Sequence, residues 1–574
     1  MVTVLGVYGP RANVTDHEGS ATIIRDGEIL AAIEEDRITR VKHDGQPLMW
    51  NAVMEAMRIS GVAPEEIDAV AIPWEGIWDH YIRDLEMNPF SLFRYPMDVC
   101  MTRSFDKRLK DMLADFGIYA PLNYVHHHTS HAASALLTSG SQDCNILTLD
   151  GSGDGYESIS VWTARDDTMK QLSLVSDTTF GNFYSYATYA IGFKIDDGEG
   201  KTMGLASYGD PSSVYDKIAN LLKVDGLSVD PMRATFTRSI TPGDDRPFAL
   251  YRYLKAETGN PFLDLVKTHR KEDVAAAAQK LLEDRVTQLV RNVIAKTNNR
   301  KICLSGGVAL NVKLNQKIRE MPEVEDVFVF PNPGDPGVAV GAALFVCKKL
   351  MEQLGREFRN ERLRHTYFGT AYSDEQVIRA LQEYRLEYQK VGDPEKAAAD
   401  LIAEGKVVGW FQGRLEFGPR ALGNRSVLAD PRNAKMKDKI NKYLKKRDWF
   451  MPFAPSILSE AKGEYLEDPV EAPFMIMGFN SQQKKRKEIP AVVHVDGTLR
   501  PQTVSKETNP RLWRLIKEFE NRTSVPVLLN TSFNRHGQPM VRSPEDAALH
   551  VVWGCVEYLI IHNYLVDANV KLEE

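Results

Sequence analysis

Two histidines four residues apart are the first feature of this sequence that could do chemistry. They lie in the segment 127–131, His-His-Thr-Ser-His, and on a helix both His127 and His131 could reach one ion. Asp150, predicted to end a strand, and Asp335, in a Gly-Asp-Pro-Gly turn, could complete a site of nitrogen and oxygen ligands. Such ligands suit Fe²⁺, Mn²⁺ or Zn²⁺. The alternative is a structural hydrogen-bonding role for the histidines.

Three glycine-rich segments could present backbone N–H groups to a phosphate. They span residues 150–155, 199–204 and 305–311, and the last follows a predicted strand. One such segment is more often only a tight turn, but three in one α/β domain favour a nucleotide site. The candidate nucleotide and substrate contacts in these segments are Gly151, Glu199, Lys201, Ser305, Gly306, Gly307 and Asn311.

Basic side chains recur in the last third of the chain. Arg420 lies in the segment Phe-Gly-Pro-Arg-Ala-Leu-Gly, Lys445 and Arg447 follow, and Arg500 comes later. Guanidinium groups from separated segments suit a dianionic phosphate, which they can bind bidentately. Surface ion pairs, each contributing little to stability, are the alternative.

Alternating elements must position these side chains. Strands are predicted over residues 2–7, 20–25, 29–34 and 67–72, and a second cycle begins with strands over 144–150 and 157–164. Strands followed by helices, given twice, indicate a duplicated α/β unit. A helix over residues 273–296, marked by its apolar period, leads into a strand over 301–304.

The apolar period is lost over residues 353–372, so we place a domain boundary near residues 366–373. The last 200 residues open with predicted helices over 374–384 and 395–404 and a strand over 407–412. A further strand is predicted over 525–529.

Length and composition limit the class of protein. A chain of 574 residues is too long for one core, so two or three domains are expected. A net charge of −7 argues against nucleic acid as a partner. The five cysteines are scattered, which argues against a disulfide framework and fits a reducing cytoplasm. The first residues are typical of a strand rather than a signal peptide, and no apolar stretch could span a membrane, so we expect a cytoplasmic protein.

Several motifs together resemble one family over nearly the whole chain. They include the histidine pair, Glu-Glu-Asp-Arg-Ile-Thr-Arg at 34–40, Gly-Pro-Arg-Ala-Leu-Gly-Asn-Arg-Ser at 418–426 and Leu-Asn-Thr-Ser-Phe-Asn at 529–534. With these motifs the sequence resembles the NodU/CmcH-type O-carbamoyltransferases. The resemblance implies an α/β protein whose residues 1–368 form a TsaD-like domain of the actin/hexokinase/Hsp70 (ASKHA) class. Residues 369–574 would then form a YrdC-like α/β domain.

The resemblance also implies an ATP-dependent reaction. The YrdC-like domain would convert carbamoyl phosphate and ATP, with Mg²⁺, to carbamoyladenylate, and the TsaD-like domain would pass the carbamoyl group to a hydroxyl. By position, the metal ligands would be His127, His131, Asp150 and Asp335, with Fe²⁺ expected before Mn²⁺ or Zn²⁺. The carbamoyl phosphate and nucleotide contacts would be Arg420, Lys445, Arg500, Asn530 and Ser532, with Arg447 nearby.

Two departures from the family pattern concern the same reaction. His17 is our candidate for the base that activates the hydroxyl, but Glu18 follows it where the family usually has Asp. A hydrogen-bonded turn residue is the alternative role for His17. Met451 stands where the family usually has Arg before Pro-Phe-Ala-Pro, so that one phosphate contact is expected either to be missing or to be supplied by a neighbour such as Arg447.

The acceptor is expected to be a small molecule, such as an antibiotic or toxin-like secondary metabolite. Residues 213–271, with Phe248, Tyr251, Tyr253 and Phe262, are predicted to help shape its pocket. The protein is expected to act either as a monomer or as a homodimer.

Three alternatives remain open at this point. One is an enzyme of tRNA threonylcarbamoylation, against which the acidic net charge argues. A HypF-like carbamoyltransferase would need an acylphosphatase module and paired C-x-x-C motifs, and this chain has neither. The third is an ASKHA nucleotide-binding module without catalysis.

Overall fold

Two five-stranded sheets with the same strand order dominate the N-terminal part of the chain. In the first, the order is β3-β2-β1-β4-β5, and in the second it is β8-β7-β6-β11-β12. The strands are β1 (Thr3–Tyr8), β2 (Ser20–Arg25), β3 (Glu28–Glu34), β4 (Ala69–Ile72), β5 (Leu122–Tyr124), β6 (Cys144–Leu149), β7 (Glu157–Arg165), β8 (Thr168–Ser176), β11 (Lys301–Ser305) and β12 (Asp326–Val329), and the two-stranded ribbon β9 (Lys223–Asp225) and β10 (Ser228–Asp230) stands apart.

This is a computed structural model, and it describes residues 1–9, 19–44, 49–74, 95–151, 153–154, 157–176, 179–230, 260–570 and 572, without the side chains of 95–104. The chain divides into two compact units. The first comprises Met1–Thr39 and His43–Leu363, and the second comprises Arg40–Lys42 and Arg364–Glu574. His17, the candidate base, lies outside the described residues.

The two sheets of the first unit are repeats of one pattern. In each, an antiparallel meander of three strands is followed by two strands parallel to the first strand of the meander. β1 and β6, which occupy the same place in the two sheets, are buried throughout their length, as strands covered on both faces must be. The predicted duplication of an α/β unit is confirmed, and the repeated order is that of the ASKHA class.

Helices connect and cover these sheets. The apolar stripe predicted over residues 273–296 forms the longest helix described, α9. The helices of the first unit are α1 (Asp36–Thr39), α2 (Trp50–Ser60), α3 (Tyr95–Asp115), α4 (His127–Leu136), α5 (Phe180–Ile191), α6 (Glu199–Ala206), α7 (Tyr215–Ile218), α8 (Phe262–Thr268), α9 (Lys271–Thr297), α10 (Val312–Arg319) and α11 (Val338–Gln353).

The segment 199–204 corrects one expectation. We predicted a glycine-rich turn there, but the residues form the start of α6. Gly200 has no heavy atom within 4 Å of the place its Cβ would take, so nothing at that position demands a turn. The predicted turn was wrong because glycine is tolerated inside short helices that are stabilised by tertiary packing.

The second unit is built on one mixed sheet of eight strands in the order β13-β22-β21-β14-β15-β20-β16-β19. The helices predicted over 374–384 and 395–404 are confirmed to within one residue as α12 and α13. The elements are β13 (Tyr388–Lys390), β14 (Val408–Phe411), β15 (Arg425–Ala429), β16 (Ala454–Leu458), β17 (Phe479–Asn480), β18 (Thr498–Leu499), β19 (Gln502–Val504), β20 (Val527–Ser532), β21 (Tyr558–Ile561) and β22 (Tyr564–Asp567), with α12 (Asp374–Glu383), α13 (Pro394–Ala403), α14 (Met436–Ile440), α15 (Lys462–Tyr465), α16 (Pro510–Thr523) and α17 (Pro544–Val552).

The expectations on membrane spans and on cysteines can be compared with the structure. Across the described residues, none of the helices combines the length and apolar character needed to cross a bilayer. Cys144, Cys303, Cys347 and Cys555 are buried free thiols.

A glycine sets the distance between the helix that carries the histidines and its neighbour. α4 packs against α11, and a Cβ at Gly341 would lie 1.8 Å from the carbonyl oxygen of Ser130. Only glycine allows this approach, because that oxygen belongs to the backbone and cannot turn away. The position of α4, and with it of His127 and His131, therefore depends on Gly341.

Replacing this glycine tests the packing. Gly341→Ala is expected to destabilise the protein by about 1–3 kcal/mol, since the added methyl forces two helices apart. The measurement is the urea-unfolding midpoint. Gly200→Ala, also inside a helix but with open space at its Cβ, is the matched control and should be neutral or stabilising. A Gly341→Ala protein as stable as the wild type would contradict the close packing of α4 on α11.

Candidate functional site

In the first unit, the four side chains predicted as metal ligands come together in one buried cluster. One ligating atom from each of His127, His131, Asp150 and Asp335 lies within 4.8 Å of the other three. The two Nε2 atoms are 3.2 Å apart. The distances from these nitrogens to Oδ2 of Asp150 are 3.5 and 3.8 Å, and both distances to Oδ1 of Asp335 are 3.6 Å.

Strand ends from both repeats supply these residues. His127 and His131 lie on α4, which follows β5, the last strand of the first sheet. Asp150 directly follows β6, and Asp335 lies in a 3₁₀ turn, Asp335–Gly337, after β12. Since β5, β6 and β12 deliver these residues at their carboxyl ends, side chains far apart in sequence meet at one point.

Backbone and hydroxyl groups hold three of the four ligands in place. The Oγ of Ser305 is 3.1 Å from Nδ1 of His131, and the N–H of Gly307 donates to Oδ1 of Asp150 at 2.9 Å. The hydroxyl of Tyr8 donates to Oδ2 of Asp335 at 2.6 Å. Each of these bonds occupies the atom that does not face the cluster, so Nε2 of His131, Oδ2 of Asp150 and Oδ1 of Asp335 stay turned inward.

Burial and mutual attraction shift the pKa values of the cluster in opposite directions. Burial alone lowers the pKa of His127, but the charges of Asp335 and Asp150 outweigh it and raise that pKa well above the usual value. Burial alone raises the pKa of Asp150, yet the hydrogen bonds with His127 and His131 take it well below normal. Both shifts have one cause, the attraction between imidazoles and carboxylates that face each other in a buried site.

The cluster fits a divalent metal ion. Two imidazole nitrogens and two carboxylate oxygens form a donor set that suits Fe²⁺, Mn²⁺ or Zn²⁺. Atoms that each lie about 2.0–2.2 Å from one ion are separated by little more than 3 Å, close to the spacing seen here. His128, between the two ligands in sequence, hydrogen-bonds Thr148 and the carbonyl of Glu157 instead, and burial first, then the neighbouring histidines, lower its pKa to about 3.

The glycine-rich segments fall into two groups. Ser305, Gly306 and Gly307 were predicted as nucleotide contacts, and the structure places Ser305 and Gly307 directly against the metal cluster. Gly306 has a φ of 94°, and a Cβ there would lie 2.3 Å from the carbonyl oxygen of Leu149. Gly151, next to Asp150, accepts a hydrogen bond from Asn182 through its carbonyl oxygen.

The other predicted contacts lie in a polar network around α6, α9 and α10. Asn311 exchanges two hydrogen bonds with Gln279 and caps α10 through Oδ1. Glu199 accepts a hydrogen bond from Ser185, and burial raises its pKa. Lys201 lies on the same helix as Glu199, with Nζ 5.5 Å from the ring of Phe193. As nucleotide contacts, these residues stay predictions.

Aromatic residues of the predicted acceptor stretch have different outcomes. Phe262 is fully buried against Phe183, with ring centroids 5.3 Å apart, so it belongs to the core rather than to a pocket wall. Phe248, Tyr251 and Tyr253 lie outside the described residues.

In the second unit, three arginines form a group of like charge. After burial, the charges of Arg420 and Arg447 lower the pKa of Arg500 well below its usual value. Burial, followed by Arg420, lowers the pKa of Arg447 to about 10, and burial lowers that of Arg420 to about 10. Within the described part of the chain, none of the three is in a salt bridge, so the alternative of surface ion pairs does not hold for them.

The three arginines differ in their hydrogen bonds. Arg447 donates to Asn441 and to the carbonyl of Pro452, and its guanidinium lies 4.3 Å from the ring centroid of Phe453. Nε of Arg420 is buried and lacks a hydrogen-bond acceptor among the described residues. Cationic donors gathered without counter-ions are what a phosphate site requires.

The motif around Arg420 is held in shape by its other charged residues. Oε1 of the buried Glu416 accepts hydrogen bonds from the backbone N–H groups of Leu422, Asn424 and Arg425. The guanidinium of Arg425 is fully buried and lies 3.6 Å from the ring centroid of Phe411, and among the described residues its acceptors are all backbone carbonyls. Glu416 and Arg425 are therefore used within the loop itself, whereas a ligand-binding role for Arg420 stays a prediction.

The predicted contacts on and near β20 are tied together. Nζ of the buried Lys445 donates to Oγ of Ser532 at 2.9 Å and to Oδ1 of Asn534 at 2.8 Å. Nδ2 of Asn530 donates to Ser456 and Gln502, and its buried Oδ1 has no partner among the described residues. In this structure Lys445 therefore holds the end of β20, and Asn530 keeps one acceptor unused.

Sequence reasoning missed Tyr8, Glu416 and Arg425 as contributors to these sites. A signal for Tyr8 existed in the duplication, because the pair Tyr8-Gly9 stands at the carboxyl end of β1 and the pair Asp150-Gly151 comes directly after β6. Glu416 and Arg425 left no comparable signal, since their roles depend on which backbone groups the loop leaves unpaired.

Two family profiles match this chain. The carbamoyltransferase N-terminus family matches residues 11–344, which is more than half of the chain, and the carbamoyltransferase C-terminus family matches residues 399–568. The chain belongs to the carbamoyltransferase family. The family predicted from the sequence motifs is confirmed, and the chain is a carbamoyltransferase enzyme, which excludes the alternative of a module without catalysis.

Individual carbamoyltransferase relatives are similar over most of their length. Nodulation protein NolNO of Sinorhizobium fredii is 35% identical over 577 residues, covering 98% of this chain and 80% of the relative. Nodulation protein NolO of Bradyrhizobium diazoefficiens is 38% identical over 449 residues, covering 77% and 78%. Nodulation protein U of the same organism is 27% identical over 576 residues, covering 96% of each chain.

Removing one imidazole tests whether the cluster holds a metal. The wild type is expected to bind one divalent ion per chain, and His131→Ala to bind Mn²⁺ or Fe²⁺ at least about 100-fold more weakly, since one of four ligands is lost. Equilibrium dialysis with metal analysis measures this. His269→Ala removes a histidine of α8's C-terminal cap in the same unit and serves as control. Equal metal content in His131→Ala and the wild type would contradict the assignment.

Proposed function

We propose that this carbamoyltransferase activates carbamoyl phosphate with ATP and transfers the carbamoyl group to a hydroxyl of a small molecule. Activation is assigned to the second unit and transfer to the first. The domain bounds of the proposal are those predicted from the sequence, residues 1–368 and 369–574. The proposal goes beyond membership of the family in naming ATP, the donor and the type of acceptor.

The observation that carries the proposal is the group of Arg420, Arg447 and Arg500, for none of which the described residues supply a salt bridge, although the charge of Asp448 acts on Arg447. The charge of Arg420 lowers the pKa of Arg447, and the charges of Arg420 and Arg447 lower that of Arg500, so the group is costly unless an anion neutralises it. The phosphate group of carbamoyl phosphate, a dianion, would do so. Arg447 takes part even though Met451 stands where the family usually has arginine, which supports its role as the replacement contact.

The proposed activation balances with one water molecule. Water displaces the phosphate group of carbamoyl phosphate, the bond between the bridging oxygen and phosphorus breaks, and phosphate and carbamate result. A carbamate oxygen then bonds to the α-phosphorus of ATP as pyrophosphate leaves, which gives carbamoyladenylate. The arginines would stabilise the negative charge that develops on the departing phosphate. We assign Asn530 and Ser532 to substrate binding, and the Ser532 hydroxyl, which donates to Oδ1 of Asn534 at 2.6 Å in this structure, would exchange that bond for one to the substrate.

The proposed transfer takes place at the metal cluster. The acceptor hydroxyl attacks the carbamoyl carbon, the bond from that carbon to the AMP oxygen breaks, and a base takes the hydroxyl proton; we assign that role to His17. His127, His131, Asp150 and Asp335 would hold the divalent ion, for which Fe²⁺ is our first choice. When bound, the ion would supply a positive charge that polarises a carbamoyl or phosphate oxygen.

The acceptor is proposed to be a secondary metabolite rather than tRNA. The net charge of −7 gives no general attraction for a nucleic-acid backbone. Formation of a product from tRNA, threonine and bicarbonate would instead favour the threonylcarbamoylation alternative.

The direct test is an assay of the activating half-reaction. Purified protein with ATP, Mg²⁺ and carbamoyl phosphate is expected to release pyrophosphate and phosphate in equal amounts, with AMP appearing as water hydrolyses the carbamoyladenylate, and none of them without carbamoyl phosphate. Chromatography of nucleotides and colorimetric phosphate assays measure this. Formation of ADP, or products that do not depend on carbamoyl phosphate, would contradict the proposal.

An arginine substitution connects the assay to the structure. Arg420→Ala is expected to weaken binding of carbamoyl phosphate about 10- to 100-fold, the loss of a charge-assisted hydrogen bond. Isothermal titration of the protein with carbamoyl phosphate measures the affinity. Arg514→Ala, which removes an exposed arginine paired with Asp393 in the same unit, is the matched control. Unchanged affinity in Arg420→Ala would exclude the arginine group as the phosphate site.

A further inference from the structure

The hydroxyl of Tyr8 lies beside the metal cluster without being one of its four predicted ligands. It donates to Oδ2 of Asp335 at 2.6 Å, while Oδ1 of the same carboxylate faces His127 and His131 at 3.6 Å. Tyr8 is fully buried and ends β1. The bond therefore decides which carboxylate oxygen faces the cluster.

The duplication of the fold explains why Tyr8 reaches this place. Tyr8 ends β1 and Asp150 follows β6, the equivalent strand of the second sheet, and each is followed by a glycine, Gly9 or Gly151. In the second repeat this position supplies the carboxylate of Asp150. In the first repeat it supplies a phenol that holds Asp335, the carboxylate after the last strand of the other repeat.

We infer that Tyr8 is a positioning residue for the metal, acting through Asp335. By holding Oδ2, its hydroxyl keeps Asp335 a ligand through Oδ1 alone and leaves room at the ion for a substrate oxygen. This inference rests on the proposal that the cluster binds a metal ion, and it adds a residue that the sequence did not indicate.

A stack of aromatic rings links the same tyrosine to a second ligand. The rings of Tyr8 and Trp74 are 5.7 Å apart at 26°, and those of Trp74 and His127 are 5.1 Å apart at 25°. Nε1 of Trp74 donates to the carbonyl of Gly9 at 3.1 Å. Nδ1 of His127 is buried and has no hydrogen-bond partner among the described residues. The ring of a metal-binding histidine is usually oriented by a hydrogen bond at its other nitrogen, and here the stacking on Trp74 takes that role.

Direct coordination by Tyr8 is the competing role. The hydroxyl donates its hydrogen to a carboxylate oxygen at 2.6 Å, which requires a protonated phenol. A tyrosine that binds a metal does so as the phenolate and would give up this bond. The two roles therefore differ in the spectrum of the metal-loaded protein.

The test is a titration of the full-length protein with Co²⁺, followed by visible absorption. Tyr8→Phe is expected to bind Co²⁺ about 10- to 100-fold more weakly than the wild type, the effect of losing an outer-shell partner. The ring and its stack on Trp74 remain, so the melting temperature should change little. Tyr215→Phe is the matched control, because the Tyr215 hydroxyl donates to Oδ2 of Asp284 at 2.7 Å in the same unit.

A double-mutant cycle shows whether Tyr8 acts through Asp335. In the Asp335→Asn background, Tyr8→Phe is expected to weaken Co²⁺ binding less than about 2-fold, because the oxygen that Tyr8 holds is no longer part of a ligating carboxylate. An equal loss in both backgrounds would overturn the positioning role. A purely structural role would lower the melting temperature in both backgrounds without this dependence.

The remaining outcomes separate the inference from its premise. If the wild type binds no Co²⁺, the metal assignment and the role of Tyr8 both fail. If the wild type binds Co²⁺ and Tyr8→Phe binds it equally, the role of Tyr8 alone fails. A phenolate-to-iron charge-transfer band in the Fe³⁺-loaded wild type that disappears in Tyr8→Phe would show direct coordination and overturn the positioning role.

Discussion

The convergence of strand ends from two sheets is the constraint on which the first unit depends. It brings two imidazoles and two carboxylates, separated by as many as 208 positions between His127 and Asp335, into a pocket where both histidines are almost fully buried. Such a concentration of titratable groups is costly unless each is paired or bound to an ion. Hydrogen bonds with Tyr8, Ser305 and Gly307 supply part of that pairing, and they also fix which atoms of the ligands face inward.

The second unit meets the opposite problem, a concentration of positive charge. Arg420 lowers the pKa of Arg447, and both lower that of Arg500. The loop that carries Arg420 is stabilised by Glu416 and Arg425 through backbone groups. In the sequence motif, the residues that stabilise the loop cannot be told from a residue that could bind a ligand, whereas the hydrogen bonds in the structure distinguish them. Glu416 and Arg425 build the loop, and Arg420 is the residue of the motif that we propose as a ligand contact.

The sequence predicted the parts of the fold that depend on local periodicity. Strands β1, β2 and β3 and the long helix α9 were predicted within a few residues, and the duplication followed from their order. The histidine pair was recognisable because its spacing is a property of one helix. The turn predicted over 199–204 was wrong because glycine indicates a turn only where tertiary packing does not stabilise a helix. Tyr8 and Glu416 could not be found this way, since their partners lie on elements whose proximity only the folded chain creates.

The central claim is that activation depends on the arginine group of the second unit and does not require the metal cluster of the first. Exchange of labelled pyrophosphate into ATP, driven by carbamoyl phosphate and measured without an acceptor, isolates that step. The account predicts that His131→Ala retains this exchange at close to the wild-type rate, whereas Arg500→Ala loses it. Loss of exchange in His131→Ala, in protein that is folded and binds ATP, would contradict the division of the reaction between the two sites.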